Sequence, residues 1–69
     1  MIKLLYYQPI FKYTFKFACA EDIIEQTSST IFKTKESAMS WAKETWEDIK
    51  DEDDILIDIN IRQIVVIPL

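Results

Sequence analysis

Seven carboxylates lie within eleven residues of this 69-residue chain, and they are the side chains best suited to chemistry or binding. They are Glu44, Glu47, Asp48, Asp51, Glu52, Asp53 and Asp54. The first four recur at spacings of three and four, so on a helix they share one face, where each like-charged pair costs a few tenths of a kcal/mol. The last four follow near the helix C-terminus, where the helix dipole is already negative.

A sequence selected only for folding would carry lysine at these positions, so this acidic stripe breaks a local rule without an evident compensating gain. We interpret the stripe as a partner-binding surface. The alternative interpretation is a solvated face that keeps a small protein soluble.

Trp41 borders the acidic stripe, about 100° around the helix from Ala42. A tryptophan beside ordered charges is typical of an interface anchor, and we include Trp41 in the partner-binding surface. The alternative is a core-edge residue that covers the rim of the sheet. Trp46, by contrast, is predicted to face the core.

Carboxylates can also hold a hard cation or act as a general acid and base. The segment that begins at Asp51 does not match a calcium loop, because Ile55 occupies a ligand position and no glycine follows. Nothing in the pattern fixes a carboxylate pair in a pocket. We therefore expect no metal, no cofactor and no catalytic residue.

The composition excludes most familiar enzyme classes. The chain has no histidine, which removes imidazole-based catalysis and histidine zinc sites, and no glycine, which removes the phosphate-binding loops. Cys19 is the single cysteine, more typical of a small buried apolar residue than of a nucleophile. One thiol and no recognisable signal peptide predict a cytoplasmic protein, and no apolar stretch approaches the ~18 residues that would span a bilayer.

Charge is divided unevenly along the chain, whose net charge is −4. Residues 1–19 carry three lysines and no acid, whereas the remainder carries all twelve acids against five basic residues. Alternation over residues 11–17 places the aromatic rings on the face opposite Lys12 and Lys16, so the rings are predicted to be core. Because the net charge repels phosphate, we expect no direct binding of nucleic acid.

Strands are predicted on both sides of Pro9. Residues 2–8 form a separate strand or a strand half, with Pro9 at a turn, bulge or edge. Residues 11–17 form a half-buried strand, residues 20–22 a turn, and residues 23–32 a further strand.

A helix follows, with Thr34 as its N-cap. Its apolar face is predicted from the 3.6-residue period to contain Ala38, Ala42, Trp46 and Ile49. After the acidic run, Ile55, Ile57, Ile59 and Ile61 alternate with Leu56, Asp58, Asn60 and Arg62, which predicts a strand with one solvent-exposed face. The alternation slips at residues 62–63, so residues 64–67 either continue that strand past a bulge or form a separate one.

These elements predict one α+β domain over residues 1–69: a small antiparallel sheet of three to five strands with one helix packed across it, in the order ββ(β)αβ. Residues 32–38 resemble the strand-to-helix joint of small sheet-and-helix domains in several bacterial and phage families. Some anti-CRISPR proteins are similar in size and element order.

We therefore predict a non-enzymatic acidic binding protein whose partner is a protein with a basic surface. The sharper hypothesis is that the acidic stripe mimics a run of phosphates and occludes a nucleic-acid-binding enzyme, as a phage- or plasmid-encoded inhibitor of a host-defence nuclease would do in the host cytoplasm. The alternative is a self-associating structural or accessory protein. It would form a homodimer through a sheet edge, because a core this small makes a monomer marginal.

Overall fold

Four elements make up the part of the chain that the computed structural model describes, residues 2–18 and 20–68. In chain order they are β1 (Leu4–Phe17), β2 (Ala20–Thr27), α1 (Lys35–Ile49) and β3 (Ile55–Val66). The strands form one antiparallel sheet in the order β2-β1-β3, and α1 packs across it. The predicted α+β fold is confirmed, with three strands. The predictions made for Cys19 lie outside the described residues.

Within the described ranges, no helix has the length and apolar character needed to cross a bilayer.

The central strand β1 runs for 14 residues and pairs with β2 on one side and β3 on the other. It passes straight through Pro9, so residues 4–8 are the first half of one strand, and Pro9 lies at neither a turn nor a bulge. Ile2 and Lys3, which were predicted to belong to this strand, precede it. The Pro9 carbonyl accepts a hydrogen bond from the Ser28 N–H at 3.0 Å, just beyond the end of β2. Pro9 has no N–H to donate. On this side of β1 the strand β2 has already ended, so no strand requires a donor from Pro9.

The first connection and β2 differ from the prediction. Residues 20–22 belong to β2, so the turn predicted there is wrong, and the chain reverses at Ala18, whose φ of 56° is left-handed. β2 ends at Thr27 instead of reaching Phe32. Phe32 returns to β1 through an isolated bridge to Tyr7. The Phe32 N–H donates to the Tyr7 carbonyl at 2.8 Å, and the Tyr7 N–H donates to the Phe32 carbonyl at 2.7 Å.

β3 is one continuous strand whose irregularity lies near its start. Tyr13 of β1 pairs with Leu56, whereas the preceding Lys12 pairs with Asp58. Ile57 is therefore left without a partner on β1 and forms a bulge.

The bulge predicted at residues 62–63 is wrong, because the pairing continues there without a shift. The alternation breaks at that point because α1 does not cover this end of the sheet, so apolar residues are not confined to one face. The actual bulge moves Ile55 and Ile57 out of the predicted buried face, and they are 61% and 47% exposed. Leu56 and Ile59 pack against the core instead.

The helix begins as predicted. The Thr34 hydroxyl accepts a hydrogen bond from the Ser37 N–H at 3.1 Å, which satisfies one free donor of the first turn. Ala38, Ala42 and Trp46 form the buried face, but Ile49, predicted to join them, is 44% exposed. The reason is that α1 rests on β1 and β3 and makes no contact with β2, so its last turn borders an open groove.

The core lies over the middle of β1, where Phe11, Ala42 and Trp46 are buried together. The Phe11 and Trp46 rings stack with centroids 6.0 Å apart, and the Tyr13 ring lies 5.0 Å from Trp46. This packing fixes which face of α1 points to the sheet and therefore which face carries the acidic stripe into solvent.

Candidate functional site

Six carboxylates of the acidic stripe are exposed to solvent. Glu44, Glu47 and Asp48 lie on the outer face of α1, away from the buried Ala42 and Trp46. The turn that follows α1 exposes three more carboxylates, those of Asp51, Glu52 and Asp53. We call these six residues the acidic surface. It covers the C-terminal end of the helix and the connection to β3.

Asp54, the seventh predicted site residue, has a structural role. It is half-buried, and its carboxylate accepts a hydrogen bond from the Asp51 N–H at 3.0 Å. Its own N–H donates to the Asp51 carbonyl at 3.1 Å. These two bonds close the turn that holds the neighbouring carboxylates outward.

The acidic surface has little counter-charge. Its Glu47 carboxylate forms an ion pair with Lys50 Nζ at 2.8 Å, and across residues 2–18 and 20–68 no other ion pair is present. The last turn of α1 contains no basic residue, and the cation at the C-cap, Lys50, is already paired with Glu47. Five of the six carboxylates are therefore available to a cationic partner.

Trp41 is half-buried at the border of the acidic surface. Its ring lies 5.4 Å from Phe32 and 6.4 Å from Phe11, and it packs against the core. Glu44 and Asp48 follow it by three and seven residues, on the same side of α1. Trp41 therefore covers the rim of the sheet and also presents an edge beside the carboxylates.

The acidic side chains do not converge. Among the residues that the structure describes, no three carboxylates are close enough to hold a metal ion. The turn that carries Asp51 and Asp54 lines only a shallow depression. The arrangement suits long-range attraction of a cationic surface and offers no enclosed place for a reaction.

Two further features were not predicted from the sequence. The first is a groove of about 240 Å³ between α1 and β2, lined by Trp41, Thr45 and Ile49 on the helix side. The second is the far end of the sheet, where residues 4–8 and 62–66 continue as a two-stranded ribbon beyond β2. Neither could be found without the strand order, because both depend on which part of the sheet is left uncovered.

Comparison with protein-family models, with curated proteins and with solved structures finds no match to this chain.

Proposed function

We propose that this protein is a non-enzymatic binding protein whose acidic surface docks on a basic surface of a protein partner. The observation that carries the proposal is the set of six exposed carboxylates at the end of α1 and in the turn after it, of which Glu47 alone is paired among the residues that the structure describes. The proposal also rests on their cost, because like charges beside the negative end of a helix destabilise the fold.

The physical consequence of such a surface is fast, salt-dependent association. A concentrated negative field steers a positively charged partner toward the correct face and speeds its encounter. The edge of Trp41 supplies an apolar contact next to the charges, which gives the bound state an anchor that salt does not screen.

The most specific form of the proposal concerns the partner. A basic groove that binds phosphates is the surface most complementary to closely spaced carboxylates, so we infer that the partner is a nucleic-acid-binding enzyme. The protein would then inhibit it by occlusion, as a phage- or plasmid-encoded inhibitor of a host-defence nuclease. In this form the protein and duplex DNA compete for one site on the partner.

The test is a tagged pull-down from a lysate of the host cell with two variants of equal net charge. Glu44→Lys/Glu47→Lys/Asp48→Lys reverses the helical part of the acidic surface. Glu21→Lys/Asp22→Lys/Glu25→Lys reverses three exposed carboxylates on β2 and serves as the charge-matched control. Because Glu21 and Glu25 pair with Lys16 and Lys12 of β1, circular dichroism must first show that this variant is folded.

We expect the wild type and the β2 variant to recover the same basic protein, and the helix variant to lose it. Duplex DNA added to the captured complex should release the partner. Equal recovery by both variants would place the binding surface elsewhere. Recovery that DNA does not disturb would contradict the mimicry and leave only charge pairing with a basic protein.

A further inference from the structure

The protein exposes more surface than its mass requires. Its accessible area is 5378 Å², whereas a compact protein of 8.2 kDa exposes about 4,500 Å². The surplus is roughly 900 Å². The molecule measures 53 × 20 × 15 Å, and the 14-residue β1 sets the length.

Much of the surplus is apolar and lies along β3 and the ribbon of residues 4–8 and 62–66. Leu4, Leu5, Val65 and Val66 are exposed there, and Ile55 and Ile57 are exposed at the start of β3. Two strands with apolar side chains on both faces are marginal in water unless further strands pair with them or another element packs on them. The acidic surface does not account for this patch.

β3 is also an open edge of the sheet. Tyr7 and Pro9 direct their backbone groups toward β2, so the alternate residues of β1 direct theirs toward β3. By the register of β1 with β3, the backbone groups of Ile59, Ile61 and Gln63 therefore face outward, away from β1. Between residues 58 and 66 the only charged side chains are Asp58 and Arg62, and natural edges normally carry more protection than this.

We propose that a second copy of this chain pairs antiparallel with this edge, through a two-fold axis at Asn60. With Asn60 opposite its own counterpart, Ile59 of each copy faces Ile61 of the other, and both present outward-facing backbone groups. The same register places Asp58 opposite Arg62 of the second copy, twice. The two sheets then form one six-stranded sheet.

Charge selects this register over its neighbours. Asp58 and Arg62 lie on the helix-free face of β3, as their pairing with Lys12 and Gln8 of β1 indicates. Centring the axis one residue earlier or later, at Ile59 or Ile61, also pairs outward-facing backbone groups but loses both contacts between Asp58 and Arg62. Centring it two residues earlier or later would oppose Asp58 to Asp58 or Arg62 to Arg62, and like charges directly opposite destabilise a pair of strands. The chosen register also brings the exposed Val65 of one copy beside the exposed start of β3 in the other.

Cross-linking tests the axis. Asn60→Cys, in a Cys19→Ser background, brings two thiols together across a non-hydrogen-bonded pair, where Cα atoms lie about 4.5 Å apart and a disulfide can form. Glu25→Cys in the same background places an exposed thiol on the opposite edge, β2, as the control. We expect mild oxidation to give covalent dimers of the first variant only. A monomeric product from Asn60→Cys, or equally fast cross-linking through Glu25→Cys, would overturn the proposal.

A charge exchange tests the register independently, by sedimentation equilibrium. Asp58→Arg and Arg62→Asp should each weaken the dimer about tenfold, because each opposes like charges twice. The double variant should recover affinity to within about threefold of the wild type. Inside one copy the exchange places two cations, at positions 58 and 12, side by side and removes the bond from Arg62 to Gln8. Recovery can therefore arise only between copies.

A wild type that sediments as a monomer at tens of micromolar, or a double variant as weak as the single ones, would overturn the proposal. These outcomes are distinguishable from failure of the proposed function, because the variants change positions 58, 60 and 62 and leave all six carboxylates of the acidic surface unchanged.

Discussion

Replacing Asp48 by lysine should stabilise the folded protein. Asp48 is exposed in the last turn of α1, four residues after Glu44, and no basic residue is present in that turn. A lysine at position 48 converts the repulsion from Glu44 into an attraction in the favourable order, with the acid N-terminal to the base. It also places a cation at the negative end of the helix dipole.

The magnitude follows from these two changes. The side-chain pair changes from repulsive to attractive, a difference of about 0.7 kcal/mol. The dipole interaction also changes sign, a difference of about 0.8 kcal/mol at low ionic strength. The free energy of unfolding should therefore rise by about 1.5 kcal/mol, which for a domain of this size raises the melting temperature by roughly 6–12 °C. Asp48→Asn should give about half of this gain.

The assay is thermal unfolding followed by circular dichroism, at equal protein concentration and at low and high salt. Near 1 M salt, where the screening length is about 3 Å, most of the gain should disappear. Asp22→Lys, which changes the net charge equally on exposed β2, should change stability by less than about 0.5 kcal/mol. A lower melting temperature for Asp48→Lys would refute the reasoning, because the acidic surface would then support the fold and its cost could not point to binding.

Substitutions at three other positions test the fold. Trp46→Ala should cost about 3–5 kcal/mol and abolish the near-ultraviolet dichroism of the core, because Trp46 is only 6% exposed, whereas Trp46→Phe should retain a folded state. Thr34→Ala should cost about 1 kcal/mol in urea unfolding and Thr34→Ser much less, since serine also caps the helix; equal losses would contradict the capping role. Ala18→Gly should raise the free energy of unfolding by up to about 1 kcal/mol, and with it the urea midpoint, because glycine adopts the left-handed φ without strain. A lower urea midpoint would show that Ala18 is not strained there.

The sequence predicted the helix start and the core face of β1 correctly, because each depends on a single local effect: helix capping and the alternation of apolar with polar residues. The hydroxyl of Thr34, followed by an apolar period of 3.6, was enough to place the helix start, and the structure confirms that cap. Alternation of large rings with lysines placed Phe11 on the core face for the same reason, and it is buried. The fold class followed from the order of these elements.

The errors arose where the outcome depends on which neighbour covers a residue. Ile55 and Ile57 fit a regular alternation, but the bulge at Ile57 changes the face, and nothing in the side chains of β3 marks it. Ile49 fits the helical period, yet the sheet does not extend beneath it. For Pro9 the sequence left a turn, a bulge or an edge open, because the end of β2, which makes a proline tolerable inside β1, is not visible from its local sequence.

For the candidate site, the sequence predicted which carboxylates share a face but not their environments. Glu44, Glu47 and Asp48 are exposed together as the helical spacing requires. Asp54 shares their charge and belongs to the same acidic run, but its carboxylate closes a turn. Trp41 could be assigned to the border of two faces, but its contacts with Phe32 and Phe11 required the tertiary structure.

The central claim is tested most directly by titrating the captured partner with three proteins, each first shown to be folded by circular dichroism. They are the wild type, the helix variant Glu44→Lys/Glu47→Lys/Asp48→Lys and the β2 variant Glu21→Lys/Asp22→Lys/Glu25→Lys. The two variants have the same net charge, so non-specific attraction is equal for both. We predict that the helix variant binds at least about a hundredfold more weakly than the β2 variant, and that higher salt weakens binding of the wild type. Equal affinities for the two variants, or a wild-type affinity that salt leaves unchanged, would contradict the account.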